Sequence, residues 1–131
     1  MQPVRGFTLI ELIVTIAILA IIATLAAPSF SNIIQRQQLN AATESLVNML
    51  EEAHTQAILK HTEISVSLSN DNTKNYVWKS PNKTSIDAPS VDPITFNSSG
   101  FSTSDITINL RNDNQTKSVV ITLIGNVNIS N

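Results

Sequence analysis

The chain has 131 residues, of which 42% are apolar and 14% charged, and it carries no cysteine and a formal net charge of −2. This length is enough for one domain with a modest core and one further element. Without cysteine there are no disulfides, thiol nucleophiles or cysteine-based zinc sites, and three glycines are too few for a Gly-rich phosphate loop. The slightly acidic balance also argues against a general nucleic-acid-binding protein.

The first predicted element is an apolar stretch at residues 7–27, whose only polar residues are three threonines and Glu11. As a helix it is long enough to cross the roughly 30 Å hydrocarbon layer of a membrane. A buried helix of a soluble protein would show a polar face. A secretory signal peptide, with Ala26 and Ala27 imitating its cleavage site, does not explain the acid, since an ionised carboxylate in lipid costs roughly 2.5–3.5 kcal/mol. The pattern therefore predicts a membrane helix whose acid needs a partner.

The residues around this acid resemble a known signal. Residues 6–11, with the sequence GFTLIE, precede the apolar stretch and Pro28 as they do in the class III signal of type IV pilins and of type II secretion pseudopilins. In that family a prepilin peptidase cleaves after the glycine and methylates the new amino terminus. The resemblance implies that residues 1–6 are a cleaved leader, that cleavage falls between Gly6 and Phe7, and that Phe7 is N-methylated. Loss of Arg5 with the leader leaves seven basic and ten acidic residues, or −3.

The same resemblance gives Glu11 a role in assembly. In the family this carboxylate is thought to pair with the amino terminus of a neighbouring subunit in the filament core. Opposite charges attract strongly in a medium of low dielectric constant, and neither is stable alone in lipid. An acid that is merely tolerated near the membrane interface is the alternative interpretation. The resemblance further implies that residues 7–28 form a transmembrane and filament-core helix, and that Pro28, which lacks an amide hydrogen, kinks one continuous helix.

The second predicted element is the amphipathic half of this helix, at about residues 29–60. Its apolar residues recur at steps of three and four, which predicts one stripe that packs on a sheet: Leu39, Ala42, Leu46, Met49, Leu50, Ala53 and Ala57.

Short strands are predicted after residue 60, because apolar residues then alternate with polar ones at 64–68, 106–110 and 119–123. Shorter candidates are 76–78, 94–96 and 127–129, and Gly125-Asn126 fits a two-residue hairpin turn. The predicted fold class is α+β: a long N-terminal helix, half membrane-spanning and half amphipathic, packed on a mostly antiparallel β-sheet of short strands at about 62–130. The periplasmic head is then residues 29–131.

Other candidate sites in the head are weak. His54 and His61 lie seven residues apart with Glu51 one turn before His54, but this spacing matches no established zinc pattern, so solvent-exposed or sheet-capping histidines are expected. No motif indicates a catalytic serine or acid. Residues 80–93 contain three prolines and no period, which predicts an irregular connection that is either a partner contact or a linker.

The order of elements resembles that of the FimT/GspH group. The segments that carry this resemblance are the helix end EEAHTQAILK, the strand that follows it, and ITFNSSGFST, which contains Phe96 and Gly100. This group contains minor type IV pilins, which help to initiate filaments near the tip, and a minor pseudopilin of type II secretion. The resemblance implies a structural subunit rather than an enzyme, without cofactor or metal. Its implied partners are other pilins, the prepilin peptidase and the bacterial inner membrane, which it crosses once with its head in the periplasm before it enters a pilus. Twitching motility, adhesion and DNA uptake are the associated roles, and a GspH-type pseudopilin is an alternative.

DNA binding in natural transformation is the other alternative. Some FimT-type pilins bind DNA through a C-terminal Gly-Arg-x-Arg stretch, whose cations neutralise phosphates. The matching residues here are 125–128, GNVN, in which asparagine replaces both arginines, so most of that affinity is expected to be absent. The basic residues that remain as candidate DNA contacts are Lys74, Lys79, Lys83, Arg111 and Lys117.

Overall fold

The computed structural model describes residues 6–69, 71–87 and 91–130, and within the helix the side chains of residues 25–29 are not described. The chain divides after Ile34 into a first unit and a second unit, residues 35–131. One helix and seven strands are assigned: α1 Leu9–Lys60, β1 Ile64–Ser67, β2 Tyr76–Val77, β3 Ser85–Asp87, β4 Ile94–Phe96, β5 Ile106–Asn112, β6 Gln115–Ile121 and β7 Val127–Ser130.

The first unit contains the N-terminal part of α1. In the described part of the chain, none of the helices combines the length and the apolarity that crossing a membrane requires. The predicted kink at Pro28 falls on a side chain outside the described ones, so it stays a prediction.

The predicted C-terminal end of the helix is confirmed, since α1 ends at Lys60. His61 follows with a left-handed φ of 49°. The His61 N–H donates to the Ile58 carbonyl at 3.3 Å and the Thr62 N–H to the Ala57 carbonyl at 3.2 Å. These two bonds form a Schellman motif, which satisfies carbonyl groups that the helix end leaves without partners.

The core of the second unit forms between α1 and the sheets. The predicted stripe on the helix is confirmed: six of its seven residues are buried, and the half-buried Met49 also packs against the core. The buried apolar side chains among the described residues extend from Leu39 to Ile121. Phe96 is the largest side chain with an exposure below 2%, and Trp78 is 3% exposed. The second unit therefore contains its own hydrophobic core.

The strands form two sheets rather than the single sheet that was predicted. One has the order β2-β1-β4, with β1 parallel to β2 and antiparallel to β4, and the other is fully antiparallel with the order β3-β5-β6-β7. Alternating polarity predicts which side chains of a strand are buried, but it does not predict which strand pairs with which.

Two further expectations are corrected. Residues 85–87 lie inside the predicted irregular connection, yet they pair with β5 as an edge strand whose short length hides any period. The two-residue hairpin loop is Asp113-Asn114 rather than Gly125-Asn126, which belongs to a five-residue connection, 122–126.

The 122–126 connection is longer because Leu123 leaves the ladder. Its N–H donates to Asp105 Oδ1 at 2.7 Å, and its carbonyl accepts from the Ser102 N–H at 3.0 Å. The side chain of Leu123 is consequently exposed, although the alternating pattern predicted a strand position for it.

Candidate functional site

The N-terminus of α1 is organised around Thr8 and Glu11. The Glu11 carboxylate accepts hydrogen bonds from the Thr8 backbone N–H and from the Thr8 hydroxyl, both at 2.9 Å. The Thr8 hydroxyl oxygen in turn accepts from the Glu11 N–H at 3.3 Å. Because Thr8 directly precedes the first helical residue, these bonds form a capping box, which satisfies two donors at the start of the helix.

This capping box fixes one oxygen of the Glu11 carboxylate next to the backbone of residue 8. Phe7, which carries the amino terminus after the predicted cleavage, is the preceding residue, and its side chain is 87% exposed. A carboxylate at this end of a helix also interacts favourably with the helix dipole. Its other oxygen has no partner among the described residues, so the group can still accept from an ammonium group.

Sequence reasoning identified Glu11 but missed Thr8. The signal was present, because a threonine followed three residues later by a glutamate at the start of an apolar stretch is the pattern of a capping box.

We expect the change Thr8→Val to fray the first turn of α1. It removes the cap hydroxyl, which costs about 0.5–2 kcal/mol of helix stability. In the full chain in detergent micelles, amide hydrogen exchange at Glu11 and Leu12, whose N–H groups donate to the Thr8 hydroxyl and carbonyl, should therefore accelerate by roughly two- to thirty-fold. Thr8→Ser keeps the hydroxyl and serves as the control. Equal exchange in the wild-type protein and the valine variant would show that the box does not hold this turn.

The five candidate DNA contacts have different surroundings in the structure, and their role stays a prediction. Lys74 pairs with Asp71 at 4.0 Å, and hydrogen bonds from the Thr73 hydroxyl and N–H hold the pKa of Asp71 below its usual value. Lys79 is exposed and lines a separate depression with Leu68, Trp78 and Thr84.

Lys83 and Arg111 do come together, in a depression of about 540 Å³ on the outer side of the second sheet. The ladder explains this, since Arg111 lies opposite Ser85 in β3. However, Asp87 and Asp113 line the same depression, so its formal charge is zero. Cancelled charges provide little attraction for a polyanion.

Lys117 lies apart from the other candidates. It is half-buried and lines a depression with Arg36 of α1, a residue that the sequence-based list did not include. The sequence alone gives little indication that Arg36 and Lys117 lie close together. The two residues are distant in the chain, and the packing of α1 on β6 brings them to one depression.

The stretch at residues 125–128 presents no cation. Asn126 and Asn128 are exposed and line a depression of about 390 Å³ with Glu51, His54 and Thr55 of α1. The formal charge of its lining is therefore negative when His54 is neutral.

The two histidines are separated by the end of the helix. The half-buried His54 contacts the Phe96 ring edge-on at 5.5 Å between centroids, whereas His61 is exposed in the Schellman motif. Among the described residues, no group of three or more His, Cys, Asp or Glu side chains is arranged to hold a metal. His54 thus packs against Phe96 of β4 at the margin of the core, as expected for a sheet-capping histidine.

Part of the 80–93 connection is attached to the helix. The Asn82 side-chain amide donates to the Gln38 carbonyl at 2.9 Å, and its oxygen accepts from the Thr84 N–H at 3.0 Å and hydroxyl at 2.6 Å. The choice between partner contact and linker stays a prediction, and residues 88–90 lie outside the described part.

Comparisons with known proteins agree with the N-terminal motif and with the fold. Residues 1–27 match the prokaryotic N-terminal methylation motif. Two fimbrial proteins of Pseudomonas aeruginosa are each 38% identical over 74 residues, which is 56% of this chain and 47% of the relative, so the chain spans about half the length of the curated relatives it matches. The type IV minor pilin FimU of Pseudomonas aeruginosa, in two crystal forms, has the same fold, with a TM-score of 0.59 and 16% identity. The alignments cover 73% and 71% of this chain and 90% and 93% of FimU. In its N-terminal motif and in its sequence over 74 residues the chain is similar to prokaryotic fimbrial proteins, and its fold is similar to that of a type IV minor pilin.

Proposed function

We propose that the protein is a minor type IV pilin, a structural subunit that helps to initiate pilus assembly near the tip. The observation that carries this proposal is the capping box, which holds the Glu11 carboxylate beside the residue that becomes the new amino terminus. Such a carboxylate is suited to accept the amino terminus of a neighbouring subunit in a filament core, where a charged group needs a partner.

The proposed route to the filament has three steps. A prepilin peptidase cleaves between Gly6 and Phe7 and methylates Phe7. Residues 7–28 then hold the protein in the bacterial inner membrane, which they cross once, with the head in the periplasm. Finally the same helix packs against other pilins in the pilus. The match of residues 1–27 to the methylation motif supports the first step.

The small second unit supports a minor rather than a major subunit. The structural alignment of the chain covers nine-tenths or more of FimU, which is a minor pilin. Twitching motility, adhesion and DNA uptake would depend on this protein through the pili that it helps to form. DNA uptake by direct DNA contact is the weaker proposal, because of the five candidate contacts only Lys83 and Arg111 line a common depression, and two carboxylates accompany them there.

A deletion of the gene tests the proposal. We expect a several-fold fall in the number of surface pili per cell, restored by the wild-type gene but not by a Gly6→Val variant whose leader stays attached. Secretion of a type II substrate by the same strain provides the comparison. Lost secretion with normal pilus number would assign the protein to type II secretion, as a GspH-type pseudopilin, and contradict the pilus role.

A further inference from the structure

A shallow depression of about 420 Å³ lies between the first turns of α1 in the second unit and the start of β6. Its floor is Leu39, which is only 2% exposed. The polar residues around this floor come from both elements, and we name the site the Arg36–Lys117 depression: Arg36, Asn40, Gln115, Thr116 and Lys117.

The charge of this depression is unusual for the chain. Its lining contains two cations and no carboxylate, a formal charge of +2 in a protein whose net charge is −2. The Lys83–Arg111 depression also has two cations, but two carboxylates cancel them. The Arg36–Lys117 depression is therefore a local site of positive potential, which attracts anions.

The polar side chains that line this depression make no hydrogen bond or ion pair with the described part of the protein. Within residues 6–69, 71–87 and 91–130, the guanidinium of Arg36 and the ammonium of Lys117 have no ion pair or hydrogen bond, in contrast to Lys74 and Arg111. The side chains of Asn40, Gln115 and Thr116 likewise have no hydrogen-bond partner in that part of the chain. The side chains of Arg36, Asn40, Gln115 and Lys117 are thus four donors around one space without a protein acceptor. The side chain of Thr116 alternates with that of Lys117 along β6 and therefore points to the other face of the sheet.

We propose that the Arg36–Lys117 depression binds the phosphate group of an anionic phospholipid. A guanidinium can donate two parallel hydrogen bonds to a phosphate, an ammonium supplies a point charge, and the side-chain amides of Asn40 and Gln115 add neutral donors. The buried Leu39 beneath them gives the aliphatic stems of the cations an apolar surface to lie on. The choice of a lipid as the source of phosphate rests on the proposed membrane insertion of residues 7–28.

The number of cations in the depression favours a lipid over a nucleic acid as its ligand. Each cation near an anionic leaflet strengthens binding by roughly five-fold, and proteins that bind duplex DNA through its backbone use about 6–10 phosphate contacts. Two cations are thus too few to capture DNA from solution. They are sufficient for a head that its own helix tethers to the bilayer, because tethering raises the effective concentration of lipid. Arg36 follows Pro28 by eight residues, so the tether is short.

The test uses the full chain in lipid vesicles and exploits the lack of cysteine. Asn40→Cys places a single thiol in the lining of the depression, one helical turn after Arg36. Its reaction with a membrane-impermeant maleimide is timed in phosphatidylcholine vesicles with and without phosphatidylglycerol. We expect alkylation to be about five-fold slower or more with the anionic lipid. Arg36→Gln with Lys117→Gln should remove the difference, whereas Lys79→Gln should keep it. Thr107→Cys, exposed on β5, should react equally in both vesicles.

Each remaining outcome overturns the inference in a distinct way. Equal rates at Asn40→Cys in both vesicles would show that the depression does not bind anionic lipid, and protection by inorganic phosphate alone would assign it to free phosphate. Protection by duplex DNA without protection by lipid would assign it to nucleic acid. Flotation with the vesicles separates the two proposals: protein that does not float contradicts membrane insertion and the lipid site together, whereas floating protein with unchanged rates contradicts the lipid site alone.

Discussion

Glu11→Gln should reduce incorporation of the protein into pili by about ten- to a hundred-fold while leaving cleavage of the leader intact. Glutamine has the size of glutamate and can also complete a capping box, so the first turn of α1 keeps its geometry. What it lacks is the negative charge. A hydrogen bond to a charged group contributes about 1.5–3 kcal/mol, and a neighbour's ammonium left without a partner in an apolar core adds a further cost.

The measurement compares processed protein in the membrane with protein in the sheared pilus fraction. Thr8→Val is the matched variant, because it removes the cap but keeps the charge. If pairing between subunits is the role of Glu11, the glutamine variant should be depleted from pili more strongly than the valine variant. Normal incorporation of the glutamine variant would show that Glu11 serves only its own helix.

The fold was predictable from the sequence in those segments where the spacing of apolar residues shows which side chains are buried. The stripe from Leu39 to Ala57 and the end of the helix near Lys60 follow from the change of period alone. The division of the strands into two sheets was not predictable, because it depends on which backbone groups pair. The edge strand at 85–87 was missed for a related reason, since three residues are too few to show alternation.

The candidate site was predictable only in part. The position of Glu11 follows from the signal-like motif, but its bond to Thr8 depends on where the helix begins. The grouping of cations depends on strand register, which brings Arg111 opposite Ser85, and on packing of the helix, which brings Arg36 to Lys117. The sequence gives the number of cations, but it does not show which of them lie next to a carboxylate in the folded protein.

Of the two glycine-to-alanine substitutions in the second unit, Gly125→Ala should be the more destabilising. Gly125 has a φ of 85°, a region that disfavours any residue with a Cβ. A Cβ built there would overlap the carbonyl oxygen of Gly100 and lie 2.6 Å from Nε2 of His54. Backbone strain of about 1–3 kcal/mol adds to this overlap, so we expect a loss of roughly 2–4 kcal/mol and a fall in Tm of about 10–20 °C.

The Gly100 carbonyl cannot easily move away, because its turn is held by Asn97. The Asn97 side chain accepts from the N–H groups of Ser99 and Phe101, and its carbonyl accepts from Gly100 at 2.8 Å. Gly100→Ala is the informative comparison. It has a similar φ of 83°, but its Cβ would meet side-chain atoms of His54 and Ile58 rather than a backbone oxygen, and side chains shift more readily than backbone. It should therefore destabilise less than Gly125→Ala.

Fluorescence of Trp78, the single tryptophan and almost fully buried, reports the unfolding of the second unit in both variants. A change in Tm of less than about 2 °C for Gly125→Ala would show that the two turns separate without cost. A large change has a consequence for the stretch at residues 125–128. The glycine of that stretch is then required by the contact between two turns, independently of any arginine beside it. Its presence here is accordingly no sign of DNA binding, which would have to rest on cations elsewhere in the second unit.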